Sequence, residues 1–367
     1  MKVHARHGPF RLSPNTLNTD NYNKRIMMGR RNQLIQTNGQ PVYGVFPNGV
    51  EQLNYLDYDL RTTMDRKRST LAKRFGFNQF QFISFVSDQL IVGVAVVDLK
   101  LVSNAFLYLY EPATGKFEEF TFLQPFARNT FIEPYPNNGT SEFKQGKNRI
   151  RISASTTPGV RKVEVNLAGK VKIEATIDET TSYNPLAICS RAGYNGWVFT
   201  QKSAAQVCNG SVTWGDTEYD LEKTDALAAV DWSAGFMRRE TFWNWGSLSC
   251  RLADGRRLGF NLAAGVNETG NTENAVWLDG RMIKIDMVDF QFDRYQNKNS
   301  WALRSSDGII DLHFTPEGQR KEKINALFMA SNFTQHFGRF HGDIHLPDET
   351  IHLDGAWGFT EDHFAKW

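Results

Sequence analysis

Hydrophobic and polar residues alternate with a period of two along much of the chain, the pattern of strands with one buried and one wet face. The alternation is clearest between residues 149 and 178. Ile150, Ile152 and Ala154 share one face and Arg149, Arg151 and Ser153 the other. Val163, Val165 and Leu167 follow as an inward set. After the turn Ala168-Gly169-Lys170, Val171, Ile173, Ala175 and Ile177 alternate with Lys172, Glu174, Thr176 and Asp178. Earlier, residues 80–98 read as two strands broken at Ser87-Asp88. Residues 105–110 and 117–122 flank Pro112-Ala113-Thr114-Gly115 as a hairpin. Later strands are expected at 241–251, 257–263, 275–278 and 281–287, the last pair joined at Asp279-Gly280, a hairpin signal. More follow at 301–305, 309–314, 326–333, 337–345 and 350–357. Helical periodicity is scarce, with 220–230 the best short candidate.

Many short strands at regular spacing predict an all-β protein of antiparallel barrels or sandwiches. At 367 residues the chain is too long for one ordinary core, which predicts two domains. The expected division is a basic N-terminal arm over 1–40, a first barrel over 41–212 and a second over 213–367 that carries the site. The boundary is placed at the end of the Gly-, Asn-, Ser- and Pro-rich stretch 181–212.

Composition changes this picture in one respect. The 27 Phe, 11 Tyr and 9 Trp favour strands and also suit the walls of an apolar pocket. A net charge of +2 gives no reason to expect a nucleic-acid partner. Basic residues crowd Lys24-Arg25 to Arg30-Arg31 and Arg61 to Arg74; they read as a solvated face, with peripheral contact to an anionic membrane as the functional alternative. Three cysteines without CxxC spacing, and an N-terminus with no apolar core, predict a reducing, cytoplasmic setting.

Four aromatic and polar patches in the second half are the candidate chemistry. Trp243 and Trp245 project to one face of a strand, as core or as a pocket wall offering π-faces. Asn261 interrupts an apolar strand, and Glu273-Asn274 opens another; a glutamate entering a barrel must be paired, solvated or raised in pKa. In the third patch, around Gln335, His336, Phe337 and Arg339, either Gln335 and Arg339 or His336 and Phe340 point inward. The fourth brings Glu361 and His363 close to the C-terminal end. Five of the eight histidines lie after residue 335, but no HExxH or thiolate partner accompanies them, so no metal is expected. Neither a GxSxG elbow nor a glycine-rich phosphate loop occurs.

At these patches the chain resembles the family of domain of unknown function 2804, over roughly residues 41–367. The resemblance rests on Trp243-Asn244-Trp245, on Asp254-Gly255 with Gly259-Phe260-Asn261-Leu262, and on Thr272-Glu273-Asn274. Residues 311–316, Gln335-His336-Phe337-Gly338 and 358–367 add to it. More distantly the pattern is similar to the carotenoid hydratase and tocopherol cyclase group, which implies two tandem lipocalin-like antiparallel barrels with few short helices. Three functions are then open. The first is a cofactor-independent hydratase or cyclase acting on a large apolar isoprenoid or lipid. Glu273, Glu361 or His336 would give the proton. Trp243, Trp245, Asn261, Asn274, Gln335, Arg339 and His363 would line or position. The second is a non-catalytic carrier of such a molecule. The third is a structural protein whose patches form the inter-barrel interface.

Overall fold

The computed structural model describes residues 31–366, except 158, 181–182, 267–269, 297–299 and 326–328. Of the expected N-terminal arm, 1–30 lies outside the described residues. Arg31–Gln33 pairs in parallel with Val50–Gln52, and Leu34 and Ile35 are buried.

Two curled antiparallel sheets carry nearly the whole fold, as two tandem lipocalin-like barrels. In the first, the meander Asn78–Val86, Ile91–Asp98, Val102–Glu111 and Lys116–Pro125 forms one flank. The other runs through Gly196–Trp214, Val171–Asp178, Val160–Leu167, Asn148–Ser155 and Thr140–Gln145 to Thr130–Ile132. Leu227–Phe236 joins the flanks, pairing with Asn78–Val86 on one side and Gly196–Trp214 on the other. The second sheet orders its nine strands as Arg281–Lys284, Ala275–Leu278, Arg257–Ala264, Glu240–Arg251, Thr350–Lys366, Ala330–His345, Ile310–Asn325, Trp301–Ser305 and Val288–Gln291.

The expected alternation holds where it was clearest: Val163, Val165 and Leu167 are buried, with exposed residues between them. The expected boundary at 212/213 falls inside the strand Gly196–Trp214. The change of sheet comes after Phe236, because Leu227–Phe236 fills the gap that closes the first sheet. Residues 220–230 are a turn entering that strand, not a helix; Ala228 and Val230 face the core with a period of two. Among the described residues the α-helix is Thr70–Gly76, in the second basic stretch, started by the Ser69 side chain accepting from the Ala72 amide at 3.2 Å. No helix among the described residues is long and apolar enough to cross a membrane.

Each barrel has its own core. Val92, Val94, Val96, Trp197 and Phe199 are in the first; Leu248, Phe260, Leu303 and Phe340 are in the second. The barrels meet through a third cluster, where Phe82, Tyr108 and Tyr110 of the first pack against Trp245, Phe337, Trp357 and Phe359 of the second. A fourth seals the joint with Ala204 and Ala229 against Ala275 and Trp277. At that edge a bulge at Ala204-Ala205 lies so close to Gly259 that a Cβ there would stand 2.7 Å from the Ala204 side chain.

Candidate functional site

Two β-bulges turn the second barrel's long strands toward the first barrel. In Thr350–Lys366, Ile351 and Leu353 point into the barrel core. Gly355 is then an extra residue between the pairs His341↔Asp354 and Phe340↔Ala356, held at φ +87°. Beyond it the odd positions change sides, so Trp357, Phe359, Glu361 and His363 face outward, toward the first barrel. The strand Ile310–Asn325 does the same at Glu317. Leu312 and Phe314 are in the core, whereas Arg320, past the bulge, faces the first barrel.

The result is a row of opposed side chains across four strands. Arg320 pairs in register with Gln335, Gln335 with Glu361, and Glu361 with Trp245. A neighbouring row runs Glu322, Phe333, His363 and Trp243. Directly opposed side chains on one face are close enough to interact. These rows form one wall of a cavity of about 260 Å³ between the barrels, just below the usual range of ligand sites. The facing wall includes Phe80, Phe82, Asn104 and Phe106 of the first barrel.

Glu361 sits at the centre, 8% exposed. Its Oε1 accepts from the Trp243 indole N–H at 2.7 Å and its Oε2 from the Gln335 amide N–H at 3.0 Å. His363 Nδ1 lies 3.4 Å from the same Oε1, its ring against Trp243 at 4.2 Å and Phe333 at 4.8 Å. Beside Glu361, Trp245 donates to Asn261 Oδ1 at 2.7 Å, and Asn261 in turn donates to the Glu273 carbonyl at 2.6 Å.

Charge enters the cavity at two further points. Lys202, 5% exposed, crosses from the first barrel, its Nζ 2.6 Å from Asp231 Oδ2 and 3.0 Å from Glu273 Oε2. Burial pushes the lysine pKa down, but Asp231 and Glu273 outweigh it and hold the group above the usual lysine range. Arg320, 3% exposed, donates from Nε to Glu119 Oε1 at 2.6 Å and stacks on Phe106 at 4.0 Å and Phe333 at 4.9 Å. The Lys202–Glu273 and Arg320–Glu119 pairs each join one barrel to the other.

The structure thus brings together Trp243, Trp245, Glu273, Gln335, Glu361 and His363 on one cavity. It places four candidates elsewhere. His336 alternates with Gln335 on its strand, so it points away from the cavity, its ring 5.8 Å from Trp301. Burial, with a smaller push from Lys321, lowers its pKa from 6.5 to about 4, the state of a neutral, packed ring. Arg339 has the cavity-side parity but lies beyond it, bonded to Glu317 at 2.8 Å and stacked on Trp357 at 4.3 Å. Asn274 is a strut: its Oδ1 accepts from the Ala263 amide at 2.6 Å and its Nδ2 donates to the Asp286 carbonyl at 2.7 Å. Asn261 stands behind Trp245 and orients it. The pattern of the sequence does not single out Lys202, Asp231 or Arg320; the pairings of Lys202 with Asp231 in its own barrel and Glu273 in the other, and of Arg320 with Glu119, reveal them.

These features define a class: two lipocalin-like barrels in tandem, with a mostly apolar cavity at their joint and a buried carboxyl in its wall. Solved structures of the same fold align along the chain. Kievitone hydratase from Nectria haematococca is 10% identical, at a TM-score of 0.50, covering 92% of this chain and 98% of its own. CghA is 10% identical, at a TM-score of 0.53, covering 91% and 97%. Both are members of the tocopherol cyclase and carotenoid hydratase-like group, and at this identity the likeness is one of fold. The chain itself belongs to the family described as Domain of unknown function (DUF2804), which matches residues 26–367. No curated protein matches its sequence.

Proposed function

We propose that this protein is a cofactor-independent enzyme of the hydratase or cyclase kind, acting on an apolar molecule held between the barrels, with Glu361 moving the proton. The observation that carries this reading is a buried carboxyl set among aromatic faces in the wall of an apolar cavity. Each Glu361 oxygen retains a lone pair after its bond to Trp243 or Gln335, so the carboxyl can hold a proton facing the cavity. Delivering that proton to a carbon–carbon double bond forms a new C–H bond and leaves a cation on the neighbouring carbon. The faces of Trp243 and Phe106 and the Glu361 carboxylate stabilise that charge. In hydration, water adds to the cation and its surplus proton returns to Glu361. In cyclisation, an internal double bond or hydroxyl adds instead, and the proton lost from the product closes the cycle.

Glu273 is the weaker acid candidate, because its carboxylate is balanced by the Lys202 ammonium. His336 is removed by its position in the barrel core. That one protein of this fold is named a hydratase agrees with the reading, but the argument rests on the cavity.

The second reading is a carrier. It is favoured by one observation: both Glu361 oxygens are already engaged by hydrogen bonds, from Trp243 and from Gln335. Ligand identification by native mass spectrometry and lipid extraction, followed by turnover of the identified molecule, separates the two. An enzyme converts it, and Glu361→Gln lowers the rate about 100-fold or more while binding persists. Binding without conversion by the wild type, or full turnover by Glu361→Gln, overturns the proposal.

A further inference from the structure

The polar atoms of the cavity wall do not balance, and the imbalance points to the chemistry of the ligand. The orientation of the Gln335 amide is set by its neighbour: Glu361 Oε2 accepts from Nε2 at 3.0 Å, and this holds with the Glu361 proton on the cavity side. The amide oxygen is therefore turned the other way. Gln335 is 3% exposed, it lines the cavity, and its Oε1 has no hydrogen-bond partner. A second amide oxygen, Asn104 Oδ1 on the facing wall, is also unpartnered. The two indole donors beside them are committed: the Trp243 N–H goes to Glu361 and the Trp245 N–H to Asn261. A buried carbonyl oxygen without a donor is costly, and native proteins leave few of them. A hydrocarbon, ether or ketone would bring no proton to these oxygens. An alcohol or phenol would.

We propose that the cavity selects a hydroxylated apolar molecule, an alcohol or phenol whose O–H donates to Gln335 Oε1 beside Glu361. This deepens the reading of the cavity as the ligand site and rests on it. The hydroxyl then fixes which part of the apolar body lies against Trp243 and the Glu361 carboxyl.

The test uses two probes of one shape, 2-naphthol and 2-methylnaphthalene, on the full-length protein. Binding is followed by quenching of tryptophan emission and confirmed by calorimetry. The quantity of interest is the ratio of the two dissociation constants, compared between wild type and Gln335→Met, a variant of similar volume. The expected result is that the wild-type preference for 2-naphthol falls about tenfold in Gln335→Met, the worth of one buried hydrogen bond, while 2-methylnaphthalene binds both proteins alike. A circular dichroism spectrum and urea midpoint matching the wild type secure the comparison. Asn104→Leu supplies an independent variant from the other barrel, expected to lower the same ratio.

If 2-methylnaphthalene binds but the ratio is unchanged in both variants, the hydroxyl selection is wrong and the cavity reading survives; water is then the partner of Gln335. If neither probe binds at millimolar concentration, the cavity reading falls and this inference with it.

Discussion

Replacing Lys202 with methionine removes the ammonium that stands between Asp231 and Glu273 and leaves two carboxylates facing each other in the joint between the barrels. The lysine is 5% exposed, and the side chains of its partners are 15% and 4% exposed. Methionine fills much the same volume, so the loss is electrostatic rather than a cavity. Breaking a buried ion pair by removing one partner costs about 3–5 kcal/mol, because the other charge remains buried and uncompensated. The assay is urea unfolding at pH 7, comparing midpoints at constant slope. Adding Glu273→Gln to Lys202→Met should recover part of the loss, since one stranded charge disappears. The pH dependence is fixed in sign. The folded-state pKa of Lys202 is raised, so its contribution is whole below the unfolded value of about 10.4 and is lost as pH rises through the folded value. A Lys202→Met protein within about 1 kcal/mol of wild type at pH 7 would refute the clamp, since that is the worth of an exposed pair.

Three further outcomes are expected. His336 is held neutral by burial with a folded pKa of about 4 against 6.5 unfolded, so the unfolded state binds the extra proton between those values. Stability therefore falls as pH drops from about 6.5 to about 4, and a pH series of urea midpoints should show His336→Leu losing that slope. Gly355→Val should cost about 1–2 kcal/mol in thermal or urea unfolding, because a β-branched residue is strained at φ +87° and this bulge turns Glu361 toward the cavity. Gly93→Ala should destabilise by about 1–3 kcal/mol, since a new Cβ would sit inside the Tyr108 ring at the barrel joint.

Much of the architecture could be read from alternation alone, because a strand with one wet face writes its period into the sequence. The strands from 148 to 178 and the hairpin of Val102–Glu111 with Lys116–Pro125 lie where the pattern put them. The alternation breaks Ala330–His345 into two pieces and ends Thr350–Lys366 early, at 357. Both errors have one cause. These strands leave the apolar core and run along the cavity, where Gln335, Glu361 and His363 replace aliphatic residues on a buried face. Polarity there marks a site and not a loop. The choice between Gln335 and His336 depended on register, and only the pairing of Gln335 with Glu361 and Arg320 decides it. Asn274 and Arg339 looked like site residues because they are polar among aromatics; one instead braces backbone and the other caps a tryptophan. Lys202 and Arg320 were beyond reach, since the carboxylates that explain them lie 29, 71 and 201 residues away in the chain.

The account stands on the inter-barrel cavity being the place where a ligand sits. Native mass spectrometry of the protein purified from cell extract, beside Ala263→Trp, tests this most directly. Ala263 lines the cavity, paired in register with Trp245, and an indole there fills the space a ligand would take. The account predicts a bound apolar molecule, or uptake of an apolar fluorophore, in the wild type, and neither in a folded Ala263→Trp. A wild type that carries nothing and takes up nothing, or a variant that binds as well as the wild type, would contradict it.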